Sequence, residues 1–557
     1  MLFAGKASVG AHACFCVMIA HLMLTHGAHD NLDSSIYGFH HVGITTSDLE
    51  KSQKFYVDVL GGSLVDDLKG NNLQGDEEMY VLFQKEILDA HARNVSLDEE
   101  KVPSVSRGGD VGLSIRFVLF DNLVVELLEF SEPGKSQVYD ANYKYATAAY
   151  VNTVTVSFWV RDNVDLNDFI TRLETISNQL SIGVKVNHAT GNAAATTFGG
   201  SEMNVEGISV AHVVGPSGEL VEFVKFTGVS RSRLATAFHS RKAVSKAFSS
   251  STTCSSAEPL GTCLYGVHHI GVTTDDIAAS LKFYSDVMGG TVLTSLTMNN
   301  VNSDGVYYSF FRQEILQASH TAADLSAAGI PDIATDGTEK CDFVFVLFSN
   351  MVIRLGRFSS RPAGDVLFNA RHLSSSPAYV SSGHLTFWVK ETVDLNQFVQ
   401  NVEAASRNLD LKQVQGNRAV DVASASDLDK VPLSKYSYSI SGTLTNFDGL
   451  TYTYIKGPSG EQLEFLQLTG KANDAFRTAF CDRDAVSTAY SRNNCPHDAS
   501  DEDKKEQHEG EEEEEDEGNT DTVILAIMCC MAFLVAVIVV VSVCYCHYQR
   551  PTQFQKL

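Results

Sequence analysis

The chain has 557 residues, too many for one hydrophobic core, and its size implies roughly two to four domains. A content of 44% hydrophobic and 20% charged residues is that of a folded globular protein and excludes a wholly disordered one. The formal net charge of −26, with no basic cluster, argues against a nucleic-acid partner.

The chain opens with Lys6, an apolar run from Ala13 to Thr25, and the small residues Gly27 and Ala28. This reads as a cleavable signal peptide over residues 1–28. Next comes Tyr37-Gly-Phe-His-His-Val-Gly-Ile-Thr-Thr-Ser-Asp-Leu49, which predicts a strand feeding a helix. Alternation puts Val42 and Ile44 on the core face and leaves His41, Gly43 and Thr45 on the other, with His40 opposite His41. Ser47 and Glu50 have the spacing of a capping box, and Gly61-Gly62 ends the helix. Strands are then expected at 79–83, 112–120 and 124–130.

A second opening lies at Thr153–Val160, its helix begins at Asp165, and its last hairpin is Ile208–Val214, the turn Gly215-Pro-Ser-Gly218, and Leu220–Phe226. A helix from Leu234 to Phe248 and a Ser/Thr-rich linker follow, together spanning 229–264. The whole pattern then returns. Tyr265-Gly-Val-His-His-Ile-Gly-Val-Thr-Thr matches the first opening, and His269 stands where His41 stood. His384–Val389, a helix near Asp394, and the turn Gly457-Pro-Ser-Gly460 complete it. A repeat this long is a tandem duplication of domains, here four βαβββ units in two pairs. Trp159 and Trp388 share a strand face with Thr155 and His384, where each can wall a ligand pocket or fill the barrel.

Residues 471–521 form a second trailing helix and an acidic stalk, with thirteen acidic residues against Lys504 and Lys505 in 498–517. Such a run is a solvated, self-repelling spacer. Thr522 to Cys546 carries no charge and, at about 25 residues, is long enough to be a transmembrane helix. His547, Arg550 and Lys556 after it put the tail, 547–557, in the cytosol. The expected topology is a single-pass type I membrane protein with an extracellular or lumenal ectodomain. In that oxidising setting Cys254 with Cys263, and Cys481 with Cys495, are close enough to form small-loop disulfides, leaving Cys341 odd. Asn94-Val-Ser96 is a glycosylation acceptor.

The motifs His-His-Val-Gly-Ile-Thr-Thr-Ser-Asp, Phe-Tyr-x-Asp-Val-Leu-Gly-Gly and Gly-Pro-Ser-Gly-x-x-x-Glu resemble the vicinal oxygen chelate (VOC) superfamily. That superfamily includes glyoxalase I, bleomycin-resistance proteins and extradiol dioxygenases. The resemblance implies an α+β fold in which two successive βαβββ modules close one half-open barrel, giving VOC domains at 37–228 and 265–470. It also implies that the opening and last strands of each module supply ligands to one divalent metal. On that pairing the first domain offers His41, Glu126 and Glu222, with Thr155 in the fourth place. The second offers His269, His384 and Glu464, with Arg354 in the fourth place. A guanidinium stays protonated and cannot ligate a metal, so Arg354 marks a lost ligand or a substrate-binding group. Two histidines and one carboxylate suit Fe(II), with Mn, Zn or Ni as alternatives, and no metal as a further one.

The expected function is therefore a membrane-anchored, metal-dependent oxygenase or lyase acting on a small oxygen-bearing molecule in its second domain. The alternative is a catalytically inactive surface protein that binds a ligand or a protein. The expected partners are a small molecule and, as the resemblance implies, further copies of the chain in a homo-oligomer.

Overall fold

The computed structural model describes residues 32–70, 93–95, 112–131, 151–188, 195–198, 207–240, 254, 259–299, 310, 316, 340–359, 380–411, 414–416, 438–440 and 449–482. The expected signal peptide, the strand at 79–83, the acidic stalk and the apolar stretch 522–546 all lie outside these residues. Among the described residues, no helix is long and apolar enough to cross a membrane.

Module 1 comprises β1 (Ile36–Thr45), helix α1 (Leu49–Lys54), β2 (Ser63–Gly70), β3 (Gly112–Leu119) and β4 (Val124–Ser131). Module 2 comprises β5 (Val154–Val160), α2 (Leu166–Gln179), β6 (Lys185–Asn187), β7 (Thr196–Phe198), β8 (Ile208–Val214) and β9 (Leu220–Phe226), followed by α3 (Gly228–Ser240). Module 3 comprises β10 (Leu264–Thr273), α4 (Ile277–Lys282), β11 (Thr291–Asn299), β12 (Lys340–Leu347) and β13 (Val352–Ser359). Module 4 comprises β14 (Gly383–Val389), α5 (Leu395–Asn408), β15 (Gln415–Gly416), β16 (Tyr438–Ile440), β17 (Leu450–Lys456) and β18 (Gln462–Leu468), followed by α6 (Gly470–Asp482).

Local chemistry accounts for the helix ends. Asp48 caps α1 by accepting from the Lys51 amide at 3.0 Å, one residue later than the expected Ser47 box. Glu50 is drawn away from the cap to the Arg116 guanidinium, and the Ser47 amide donates to Ser217 Oγ. A carboxylate is the better acceptor for a helix N-terminus, so Asp48 prevails. Asp165, Asp276 and Asp394 cap α2, α4 and α5 in the same way. Gly61, at φ 77, ends the wider turn that continues α1, and its backbone packs directly on Gly261. The trailing helix α3 begins at Gly228, earlier than Leu234.

The modules are present as expected, but their pairing is not. One nine-stranded sheet runs β15-β17-β18-β14-β1-β4-β3-β2, with β16 on β17. The other runs β11-β12-β13-β10-β5-β9-β8-β6, with β7 on β8. Module 1 thus shares a sheet with module 4, and module 2 with module 3. The join in each sheet is an antiparallel pair of opening strands, β1 with β14 and β10 with β5. Any opening strand offers the same free edge, and the repeats are alike, so chain order does not select the partner.

A single apolar core runs through both sheets, from Phe55 and Phe158 to Phe283 and Phe465. Each such side chain stabilises the fold by roughly 1.5–3 kcal/mol. Buried Asn350 clamps both the amide and the carbonyl of Phe39, and Asn122 does the same for Val267. Cys254 and Cys263 form a disulfide, Cys481 is disulfide-bonded, and Cys341 is free and buried. Cys495 lies outside the described residues.

This topology predicts that a chain split between α3 and β10 reassembles. Residues 32–240 and 254–482 should copurify in a one-to-one complex when coexpressed, because each supplies opening strands to the other. A folded, monomeric product of either half alone would contradict the crossed pairing.

Candidate metal centre

The crossed pairing brings together residues that chain order puts apart. His41 on β1 and Glu126 on β4 meet His384 on β14 and Glu464 on β18, and one donor atom from each lies within 4.8 Å of all the others. His41 Nε2 is 3.3 Å from Glu126 Oε2 and 2.9 Å from Glu464 Oε2. His384 Nε2 is 3.1 Å and 3.3 Å from the same two oxygens. All four residues are at most 5% exposed.

Strand register produces this convergence. Gly43 pairs with His384 across the antiparallel join and with Glu126 across the parallel one. A Cβ at Gly43 would collide with the His384 imidazole, so only glycine lets that ring lie across β1. Thr386 Oγ1 donates to Glu464 Oε2 at 2.8 Å and fixes that carboxylate. The alternation expected at the opening fails at one point. A register shift between Phe39 and His41 puts the His40 ring against His41, with Nδ1 to Nδ1 at 2.8 Å, rather than on the opposite face. His268 and His269 repeat this contact at 2.8 Å.

Electrostatics favours a cation at the centre. Burial pulls the His41 imidazole down, but the Glu126 and Glu464 carboxylates outweigh it and push its pKa up to about 9. The His384 imidazole is also raised, its carboxylate neighbours outweighing burial. Burial pushes Glu126 and Glu464 up, and the two imidazoles reverse this to hold both below the usual carboxylate range. His40, by contrast, is kept well below its ordinary value by burial and by His41, and is neutral.

The donors fit a divalent ion. His41 Nε2, His384 Nε2 and Glu126 Oε2 are buried and make no hydrogen bond in proper geometry among the described residues, although they lie in ion-pair range of one another. Two imidazole nitrogens and two carboxylate oxygens are a donor set for Zn, Ni, Mn or Fe.

Aromatic rings close the site. Phe117 lies 5.8 Å from His41, and Phe476 on α6 lies 5.2 Å from Phe117 and 4.6 Å from His40. Trp388 packs on His40 and stacks on Phe480, while Tyr454 faces His384. Trp388 and, in the other barrel, Trp159 therefore pack against His40 and His268. Sequence reasoning finds all four donors but misses Gly43, Thr386 and Phe476. The recurrence of glycine at Gly43 and Gly271 inside a strand is the available signal.

The expected triad of His269, His384 and Glu464 is not assembled, because His269 is in the other sheet. Nor is the set of His41, Glu126 and Glu222. In the second barrel Glu222 faces His269 Nε2 at 3.1 Å and His212 Nε2 at 2.9 Å, accepts from Ser157 Oγ at 2.8 Å, and is ion-paired to the Arg354 guanidinium. Arg354, expected to mark a lost ligand or a substrate-binding group, is thus ion-paired to Glu222.

A model of the Glyoxalase/Bleomycin resistance protein/Dioxygenase superfamily matches residues 38–177 and 266–465. Among solved structures, a single-site mutant of glyoxalase I from Zea mays is 12% identical, with 79% of this chain and 93% of that one covered at a TM-score of 0.35. A 4-hydroxymandelate synthase mutant from Streptomyces coelicolor is 10% identical, with 82% and 99% covered at 0.21. The Mn(II)-bound glyoxalase from Novosphingobium aromaticivorans is 11% identical, with 78% and 82% covered at 0.18. A comparison with curated proteins gave no match.

The second barrel should be labile to acid. Burial, opposed by Glu222 and reinforced by Arg354, lowers His269 from 6.5 to about 4. Between those values the unfolded chain binds the proton and the folded one does not, so stability falls as pH drops from 6.5 towards 4. Glu222 works in the same direction: burial raises it, but Arg354 and His269 hold it well below 4.5, so its contribution is present above 4.5 and lost in acid. Denaturant titrations should show the slope between pH 6.5 and about 4 flattened in His269→Gln.

Proposed function

The chain belongs to the glyoxalase/bleomycin resistance protein/dioxygenase superfamily, and from that membership we propose that it is a membrane-anchored, divalent-metal-dependent lyase or isomerase acting on a small molecule with adjacent oxygen atoms. The observation that carries this reading is the convergence of His41, Glu126, His384 and Glu464. Two histidines and one carboxylate would suit an Fe(II) oxygenase, but a fourth protein donor favours Lewis-acid and proton-transfer chemistry over oxygen activation. A bound divalent ion would polarise substrate oxygens and stabilise negative charge that develops on them.

The chain's own residues have separable tasks in this reading. His40, neutral and hydrogen-bonded through Nδ1, accepts from His41 Nδ1 and so turns His41 Nε2 towards the centre. Thr386 holds Glu464 in place. Glu126 Oε2, which has no hydroxyl donor among the described residues, is the carboxylate oxygen suited to take a proton from substrate carbon and return it. Phe117 and Phe476 pack over His41 and His40 and help to exclude water from the centre. Membrane anchoring by 522–546, with the modules on the extracellular or lumenal side, accords with the Cys254–Cys263 disulfide and an exposed Asn94.

Complete burial of the four donors favours a second reading, a ligand- or protein-binding surface protein whose metal is structural. Water relaxation by Mn(II)-loaded protein separates the two: rapidly exchanging water on the ion supports the enzyme, and none supports the structural role.

Metal analysis tests both readings. The purified protein should hold about one equivalent of divalent metal, lost in His384→Ala and in Glu126→Ala but kept in His269→Ala. No metal in any preparation, even after anaerobic reconstitution, sinks the proposal. Gly43→Ala should also lose the metal, by displacing the His384 ring, while its fold by circular dichroism remains. Because His41 carries a proton up to about pH 9, metal uptake near neutral pH should release protons, and affinity should rise with pH. Calorimetry in buffers of differing ionisation heat reads that release.

A further inference from the structure

The second barrel repeats the register of the first around its opening strands, so each donor has a counterpart. Gly271 pairs with Thr155 and Arg354 as Gly43 pairs with His384 and Glu126, and Ser157 pairs with Glu222 as Thr386 pairs with Glu464. His269 stands in the place of His41. This set does not fit a metal: arginine donates but cannot ligate, and Thr155 has no imidazole to bring over Gly271.

We propose that the Arg354 guanidinium is the resident cation of the second barrel, a tethered replacement for a divalent metal that makes this half of the molecule a metal-independent scaffold. Arg354 Nη2 reaches to 2.7 Å from the point where a Cβ on Gly271 would stand, beside Thr155, in the space that the His384 imidazole fills over Gly43. Its Nη1 donates to Glu222 Oε2. Glu222, fully buried, thereby faces four groups: Arg354, His212, His269 and the Ser157 hydroxyl. A carboxylate has about four lone-pair sites, so none is left for a metal or a substrate. An uncompensated buried carboxylate is strongly destabilising, and arginine, protonated at every physiological pH, supplies the compensating charge permanently.

Changing two side chains should therefore create a metal site. In a His384→Ala background, which removes the first cluster, the protein should bind no metal with Arg354 in place. Adding Thr155→His and Arg354→Glu should give about one equivalent of Co(II), with the visible absorption of a nitrogen- and oxygen-ligated ion. A folded triple variant that binds none overturns the proposal. The background makes this result independent of whether the first cluster is loaded in the natural chain. Should the triple variant not fold, the wild-type protein decides by amide hydrogen exchange before and after chelator. Protection in β5, β9, β10 and β13 should be unchanged, whereas a loss there on chelation refutes a metal-independent scaffold.

Discussion

The antiparallel pairing of opening strands, β1 on β14 and β10 on β5, is the constraint on which the rest depends. Each opening strand lies between this partner and the parallel last strand of its own module, and on β1 and β10 both neighbours place residues beside the same glycine, Gly43 or Gly271. Which modules meet therefore decides which four residues meet. With modules 1 and 4 joined, two histidines face two glutamates. With modules 2 and 3 joined, one glutamate faces an arginine. Had neighbours in sequence paired, each barrel would have been one donor short.

The two barrels are also mechanically one body. The Tyr56 hydroxyl donates to Glu219 of the Gly-Pro-Ser-Gly turn region in module 2, and Tyr284 donates to Glu461 in module 4. Burial raises both carboxyls above the usual range. The helical segments of modules 1 and 3 thus reach the closing hairpin of the other sheet, while Asn122 and Asn350 tie opening strand to opposite turn. Modules 1 and 4 come from opposite ends of the described sequence.

Much of this is legible in the residues. The four openings, the closing hairpins and the helix starts at Asp165 and Asp394 follow from alternation, aspartate caps and the Gly-Pro-Ser-Gly turns, and all four donors are identifiable as residue types at equivalent strand positions. Their grouping is not legible. A hydrophobic pattern specifies which face of a strand is buried, but not which of several near-identical edges it joins. The place of His40 escapes a sequence reading for a related reason: a one-residue register shift is a backbone event with no side-chain signature, and it undoes strict alternation. Phe476 is invisible because its role comes from how α6 crosses the sheet, not from its own helix.

Both barrels face the same electrostatic problem, a carboxylate buried among rings and strands where an unpaired charge is costly. They answer it differently. In the first, two carboxylates share two imidazoles whose proton affinity they raise, an arrangement that the proposed function reads as exchangeable for a divalent ion. In the second, a guanidinium is fixed by its own strand and every carboxylate lone pair is occupied. Exchangeability is what chemistry requires and permanence is what a scaffold requires. On the proposed function, one duplicated pair of modules carries the reactive centre and the other carries the scaffold, within one continuous core.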